Sequence, residues 1–185
     1  MPNAIAKIFG IILMVGLFYY STYQNYKKEE DIAYINTYNS VTEFVDNVRL
    51  KGFITPSMYE DFVNSLHTGN QVLFNVEIEH EKKQYTPVYT DPNNPNSFTG
   101  EYEVQYTSFY WEQIKKTLFE SSVPYEKRMY KLENGDFFYV NVANKTKFKS
   151  TMLFDFLTGG AGTDAPEIPF PYGGMVQNQD WNDKQ

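Results

Sequence analysis

The sequence predicts an α+β fold: a long N-terminal helix packed on a small antiparallel sheet, with short helices between the strands and an irregular C-terminal tail. Three observations carry that prediction. They are an uncharged apolar run near the N-terminus, an apolar stripe at helical spacing directly after it, and several period-two stretches further on. The 185 residues divide into an N-terminal stub and apolar helix (1–28), an α+β domain (29–158) and a Gly/Pro-rich tail (159–185).

The first element begins with Ile8 to Tyr26, which holds no charged side chain. At ~1.5 Å per residue it spans about 28 Å, close to the ~30 Å hydrocarbon core of a bilayer. Ile8, Phe9, Ile11, Ile12, Leu13, Met14, Val15, Leu17 and Phe18 are the membrane-anchor residues, with Tyr19, Tyr20, Tyr23 and Tyr26 as an interfacial belt. Three readings compete. A cleaved secretory signal needs small residues before its cut, and Phe18 to Gln24 supplies no such pattern. A buried core helix would have to be enclosed on every side, which a chain of this size rarely achieves. An uncleaved signal anchor is the favoured reading. The short N-terminal stub with Lys7 stays in the cytoplasm, and the domain from Glu29 onward lies outside the cell membrane.

Glu29 to Leu50 continues the helix, since no Pro or Gly interrupts the chain between Leu17 and Gly52. Tyr34, Tyr38, Val41, Val45 and Val48 form the packing stripe, widened by Ile32, Ile35 and Phe44. Gly52 ends the helix, and Thr55-Pro56 caps and starts a short one that stops near Gly69. Val72 to Glu81 alternates as a half-buried strand, which Gln84 to Thr90 is expected to join as a partner. Asp91 to Asn96 is a loop, Glu101 to Thr107 a strand, and Ser108 to Phe119 a capped helix burying Trp111, Ile114 and Leu118. Asn134-Gly135 between Arg128–Glu133 and Asp136–Ala143 is a hairpin signal. Phe148 to Leu157 reads as a last helix. Beyond Gly159, Gly162, Pro166, Pro169 and Pro171 exclude a helix or central strand and leave an arm draped on the sheet.

Composition narrows the function. Aromatic residues make up 18%, with 16 Tyr and 15 Phe, so ring packing dominates the core. The net charge is −7 and no basic stripe is present, which argues against nucleic acid. Without cysteine, disulfides, thiolate zinc sites and thiol nucleophiles are excluded. The two histidines, His67 near a helix end and His80 on a strand face opposite Glu77, Glu79 and Glu81, assemble no catalytic constellation. Glu77 and Glu79 share a face, and solvation explains them as well as cation binding does. The Asp91–Glu101 loop lacks calcium-loop spacing, and Gly159-Gly160-Ala161-Gly162 lacks the Lys-Ser/Thr of a phosphate loop. Asn144-Lys145-Thr146 is a formal glycosylation sequon. No catalytic, metal or cofactor residue is expected.

An apolar helix running into an amphipathic one, ahead of a small antiparallel sheet, resembles the pilins and pseudopilins of type IV filament and tight-adherence secretion systems. The resemblance covers residues 4–50 and the general layout behind them. It implies that Ile8–Phe18 anchor the subunit and pack against neighbouring subunits, and that the Tyr34–Val48 stripe docks on the sheet. The residue five after Gly10 is Val15 and five after Gly16 is Ser21, where that family carries Glu; an uncut helix points to a minor subunit or an assembly factor. The partners implied are the lipid bilayer and other subunits of an envelope assembly. A membrane-tethered binding module, contacting its ligand through the loops near 91–100 and 159–175, is the alternative; an anchored hydrolase is a third.

Overall fold

A computed structural model describes residues 2–68, 73–160 and 169–179. It is α+β, as the periodicities predict. Helix α1 (Pro2–Lys51) runs unbroken for 50 residues, continuing past residue 28 as the absence of Pro and Gly after Leu17 predicts. Gly52 ends it with φ 74°, donating its N–H to Val48 O at 2.7 Å. Strand β1 (Phe53–Ile54) and helix α2 (Pro56–Thr68) follow; Thr55 Oγ1 accepts from Met58 N–H and caps α2. Then come β2 (Phe74–Tyr89), β3 (Phe98–Tyr110), α3 (Trp111–Phe119), β4 (Tyr130–Lys131), β5 (Phe137–Asn144), α4 (Lys149–Thr158) and β6 (Pro169–Met175). Expectations that touch Gly69, Val72, Gly162 and Pro166 lie outside the described residues.

The main sheet has the order β3-β2-β5-β6, antiparallel throughout; β1 and β4 pair separately. The second half of α1 covers one face. Its Val41, Phe44, Val45 and Val48 meet Ile78, Phe138, Val140 and Val142 of the sheet, with Phe62 and Leu66 of α2 and Ile114 and Leu118 of α3 closing the core. Phe44 stacks on Phe62 with centroids 4.3 Å apart and planes 6° from parallel. The stripe needs one correction. Tyr34 and Tyr38 are 45% and 51% exposed; the buried positions at their level are Ala33 and Thr37. The two tyrosines flank the interface instead, ring against ring with Phe170 and Tyr172 of β6. The last strand lies close under α1, and small side chains let the helix settle there.

Three further expectations are corrected. Gln84–Tyr89 is no separate strand but the continuation of β2, whose partner along that stretch is β3. Asn134-Gly135 does turn the chain, with Asp136 N–H on Glu133 O at 3.1 Å, but it makes no hairpin. β4 pairs with β1, because both sides of β5 are taken, by β2 and β6. Helix α3 starts at Trp111 rather than after Ser108; Tyr110 is its N-cap, and its N–H is taken by Gln113 Oε1.

Direction along the sheet follows from contacts. As α1 runs from Tyr34 to Arg49, its neighbours on β6 run from Phe170 to Met175, so helix and strand are parallel. Two antiparallel steps make β2 parallel to α1 as well. The β2–β3 hairpin therefore points away from the apolar half of α1. β5 pairs with β2 only as far as Glu81, so residues 84–89 and their partners overhang as a two-stranded ribbon roughly 20 Å long at ~3.4 Å per residue.

Candidate functional site

The first candidate is the free half of α1. It is long and apolar enough to cross a membrane, and its apolar window has no buried residue. Ile8, Phe9, Ile11, Ile12, Leu13, Met14, Val15, Leu17 and Phe18 are each more than half exposed within the single chain. A Cβ added at Gly10 or Gly16 would meet nothing within 4 Å. Where α1 turns polar, α4 meets it: Lys149 Nζ lies 3.5 Å from Glu29 and 5.7 Å from the Tyr26 ring, and Ser150 Oγ donates to Glu30.

The second is a groove of about 810 Å³ on the sheet face opposite α1, lined among others by Glu77, Glu79, Tyr110, Trp111, Tyr139 and Asn141. At Gly173 the Tyr139 ring packs where a Cβ would otherwise sit. Glu77 is held by Asn75 Nδ2 at 3.3 Å and Asn141 Nδ2 at 3.2 Å. Burial, then the carboxylates of Glu81 and Glu79, push the Tyr139 hydroxyl pKa up. Glu77 and Glu79 do share the outer face, as the alternation requires.

The third is a buried polar chain that spacing did not suggest. His80 sits 2% exposed on the core side of β2. Its Nε2 lies 2.9 Å from Asp136 Oδ2 and its Nδ1 2.8 Å from the Tyr130 hydroxyl. The neutral tautomer with hydrogen on Nε2 satisfies the chain: His80 donates to Asp136 and accepts from Tyr130. Asp136 also accepts from Glu133 N–H at 2.8 Å and Lys83 N–H at 2.9 Å. Burial alone would raise the Asp136 pKa, but the hydrogen bonds from His80, Glu133 and Lys83 outweigh it and hold the carboxyl below its ordinary range. Burial and the neighbouring Asp136 push Tyr130 up. The chain ties β2, β4 and the Asn134-Gly135 turn together. With both ring nitrogens engaged inside the core, His80 is a structural group. The signal that could have found it is its inward register among Val76 and Ile78, since a buried imidazole needs partners.

His67 falls in the last turn of α2. In the Asp91–Asn96 loop the side-chain oxygens serve the loop's own turns: Asp91 Oδ1 accepts from Asn93 N–H, and Asn94 Oδ1 from Asn96 N–H. Among the described residues no group of three or more His, Asp or Glu side chains is placed to hold a metal ion. Comparison with family models, with curated proteins and with solved structures finds no match to this chain.

Proposed function

We propose that this chain is a pilin-like structural subunit, held in the cell membrane by α1, with its N-terminus cytoplasmic and its α+β domain outside, and joined to neighbouring subunits of an envelope assembly through the apolar half of that helix. The observation that carries this reading is one unbroken helix with two unlike halves. Val41, Phe44, Val45 and Val48 are spent on the chain's own sheet, while Ile8 to Phe18 are left wholly to the surroundings. In lipid, association of such a helix rests on close packing, and Gly10 and Gly16 offer backbone for a neighbour to approach. No step of chemistry is assigned to it, and both ring nitrogens of His80 are engaged inside the core.

The test uses the absence of cysteine. Single cysteines at Gly16, Tyr20 and Tyr34 are cross-linked in intact cells. A ladder of defined oligomers, lost when Ile8–Phe18 is replaced by a generic Leu/Ala anchor, is the expected result. Monomer at every position, with function kept on the generic anchor, would overturn the subunit reading. The groove lined by Glu77, Glu79, Tyr110 and Tyr139 favours one second reading, a membrane-tethered binding module, and that outcome would select it.

A further inference from the structure

Helix α4 presents an apolar surface that the described residues leave open. Met152, Phe154, Phe156 and Leu157 are 50%, 51%, 82% and 56% exposed. On ten residues that is more apolar surface than a solvated helix tolerates without a partner. Its position names the partner. The first turn of α4 is fastened to Tyr26, Glu29 and Glu30, where α1 passes from its uncharged run to its charged half. α4 therefore starts beside the end of the Tyr19–Tyr26 belt, and its ten residues extend at most about 15 Å from there.

We propose that α4 is a second membrane contact, lying in the headgroup–acyl boundary of the bilayer with Met152, Phe156 and Leu157, which share one side of the helix, turned into it. Lys145, Lys147 and Lys149 precede these residues, and Lys27 and Lys28 lie on α1 between Tyr26 and Glu29, the residues that Lys149 meets. Some of those charges are shared: Lys147 pairs with Asp155 at 2.9 Å, and Lys27 with Glu30 at 3.0 Å. Lysines bordering an apolar helical face fit anionic headgroups, the pattern of interfacial helices. A single helix lets a domain swivel and lean about its anchor. A second contact, fixed to the first by the Glu29 and Glu30 bonds, holds the sheet upright and sends the β2–β3 ribbon away from the bilayer.

The inference rests on α1 being an anchor, and its test separates the two. The full chain, carrying a single cysteine labelled with an environment-sensitive nitrobenzoxadiazole dye, is reconstituted into phosphatidylcholine/phosphatidylglycerol vesicles containing nitroxide lipids. Label at Ile12 reports the anchor, at Phe156 or Leu157 the proposed contact, and at Thr99 the distal ribbon. The expected result is quenching at Ile12 by deep nitroxides, blue-shifted emission and quenching at Phe156 and Leu157 by shallow ones, and neither at Thr99. The quenching at Leu157 is lost in a Met152→Asp, Phe156→Asp variant, whose exposed positions leave folding intact, while Ile12 is unaffected. A quenched Ile12 with a water-accessible Phe156 would overturn this inference and leave the anchor standing. No quenching at Ile12 would remove the anchor and this inference together. Specific Phe156→Cys cross-links between chains would show that another copy covers α4, and would also overturn it.

Discussion

Asp136→Ala is the substitution that probes the interior most directly. The Asp136 side chain receives three hydrogen bonds, from His80 Nε2 and from the N–H groups of Glu133 and Lys83. Alanine leaves all three donors without their acceptor at a site only 1% exposed. A buried donor left unsatisfied costs about 1–3 kcal/mol, and water entering the vacated space recovers part of it; the expected loss is about 4 kcal/mol. Against a typical domain stability of about 5–15 kcal/mol that is a large share. With a urea slope of about 1.5 kcal/mol/M the midpoint falls by about 2–3 M. The assay is urea unfolding of the full chain in detergent micelles, followed by near-ultraviolet circular dichroism. The pH dependence supplies an independent check. Because the folded Asp136 pKa is depressed, its contribution is fully present above the unfolded carboxyl value of about 3.9 and is lost as pH falls through the folded pKa. Asp136→Ala should flatten that acid limb. A loss below about 1 kcal/mol, with the acid limb unchanged, would refute the structural role given to the His80 chain.

Tyr130→Phe removes only the hydroxyl that serves His80 Nδ1 and should cost about 1 kcal/mol, less than additively with Asp136→Ala because both act through one imidazole. Val45→Ala, at a fully buried position of α1, should lower unfolding stability by about 2 kcal/mol. Gly173→Ala brings a Cβ into the Tyr139 ring and to 2.6 Å from Phe138 O, so β6 must shift; a loss of about 2–3 kcal/mol is expected in the same unfolding assay. Amide hydrogen exchange along β3 should alternate, fast at Tyr102, Val104 and Tyr106 and at least about tenfold slower at Glu103, Gln105 and Thr107, whose N–H groups face β2.

How much of this was legible depended on whether burial forced a pattern. The unbroken α1 was readable because nothing between Leu17 and Gly52 can stop a helix and the stripe repeats at helical spacing. Its exact face was not, since Tyr34 and Tyr38 look like core residues until β6 arrives beside them. β2 seemed to end near Glu81 for a physical reason. Past that point β5 stops and both faces of the ribbon meet solvent, so Lys82, Lys83 and Gln84 break the hydrophobic alternation while the strand goes on. The Asn-Gly turn was visible, but its strands' partners are set by distant segments that local sequence does not name. The His80–Asp136 bond joins residues 56 apart and left only the hint of an inward histidine. The apolar exposure of α4 likewise emerges only once its burial is known.

The two edges of the main sheet are treated differently, and proline shows how. In an antiparallel ladder each residue sends its N–H and C=O to one side, alternating along the strand. Lys83 N–H goes to Asp136, on the β5 side, so Tyr85 and Pro87 face that side too, and Pro87 loses no bond to β3. Its partners on β3 must then direct Tyr102, Val104 and Tyr106 outward, in phase with Tyr110, whose N–H turns to Gln113. On β6, the regular ladder to β5 requires the proline positions 169 and 171 to be those facing away, so that edge lacks two donors. One edge is thus blunted by Pro169 and Pro171, while the other offers an unbroken row of donors and acceptors along an exposed strand. The same alternation puts Tyr85, Tyr102, Val104 and Tyr106 on a single face of the ribbon, and beyond the register shift at Pro87–Tyr89 the Phe98 ring packs on both Tyr89 and Tyr102. The carboxylates of Glu101 and Glu103 on the opposite face keep that edge charged, which is how a soluble sheet discourages indiscriminate pairing without giving up its length.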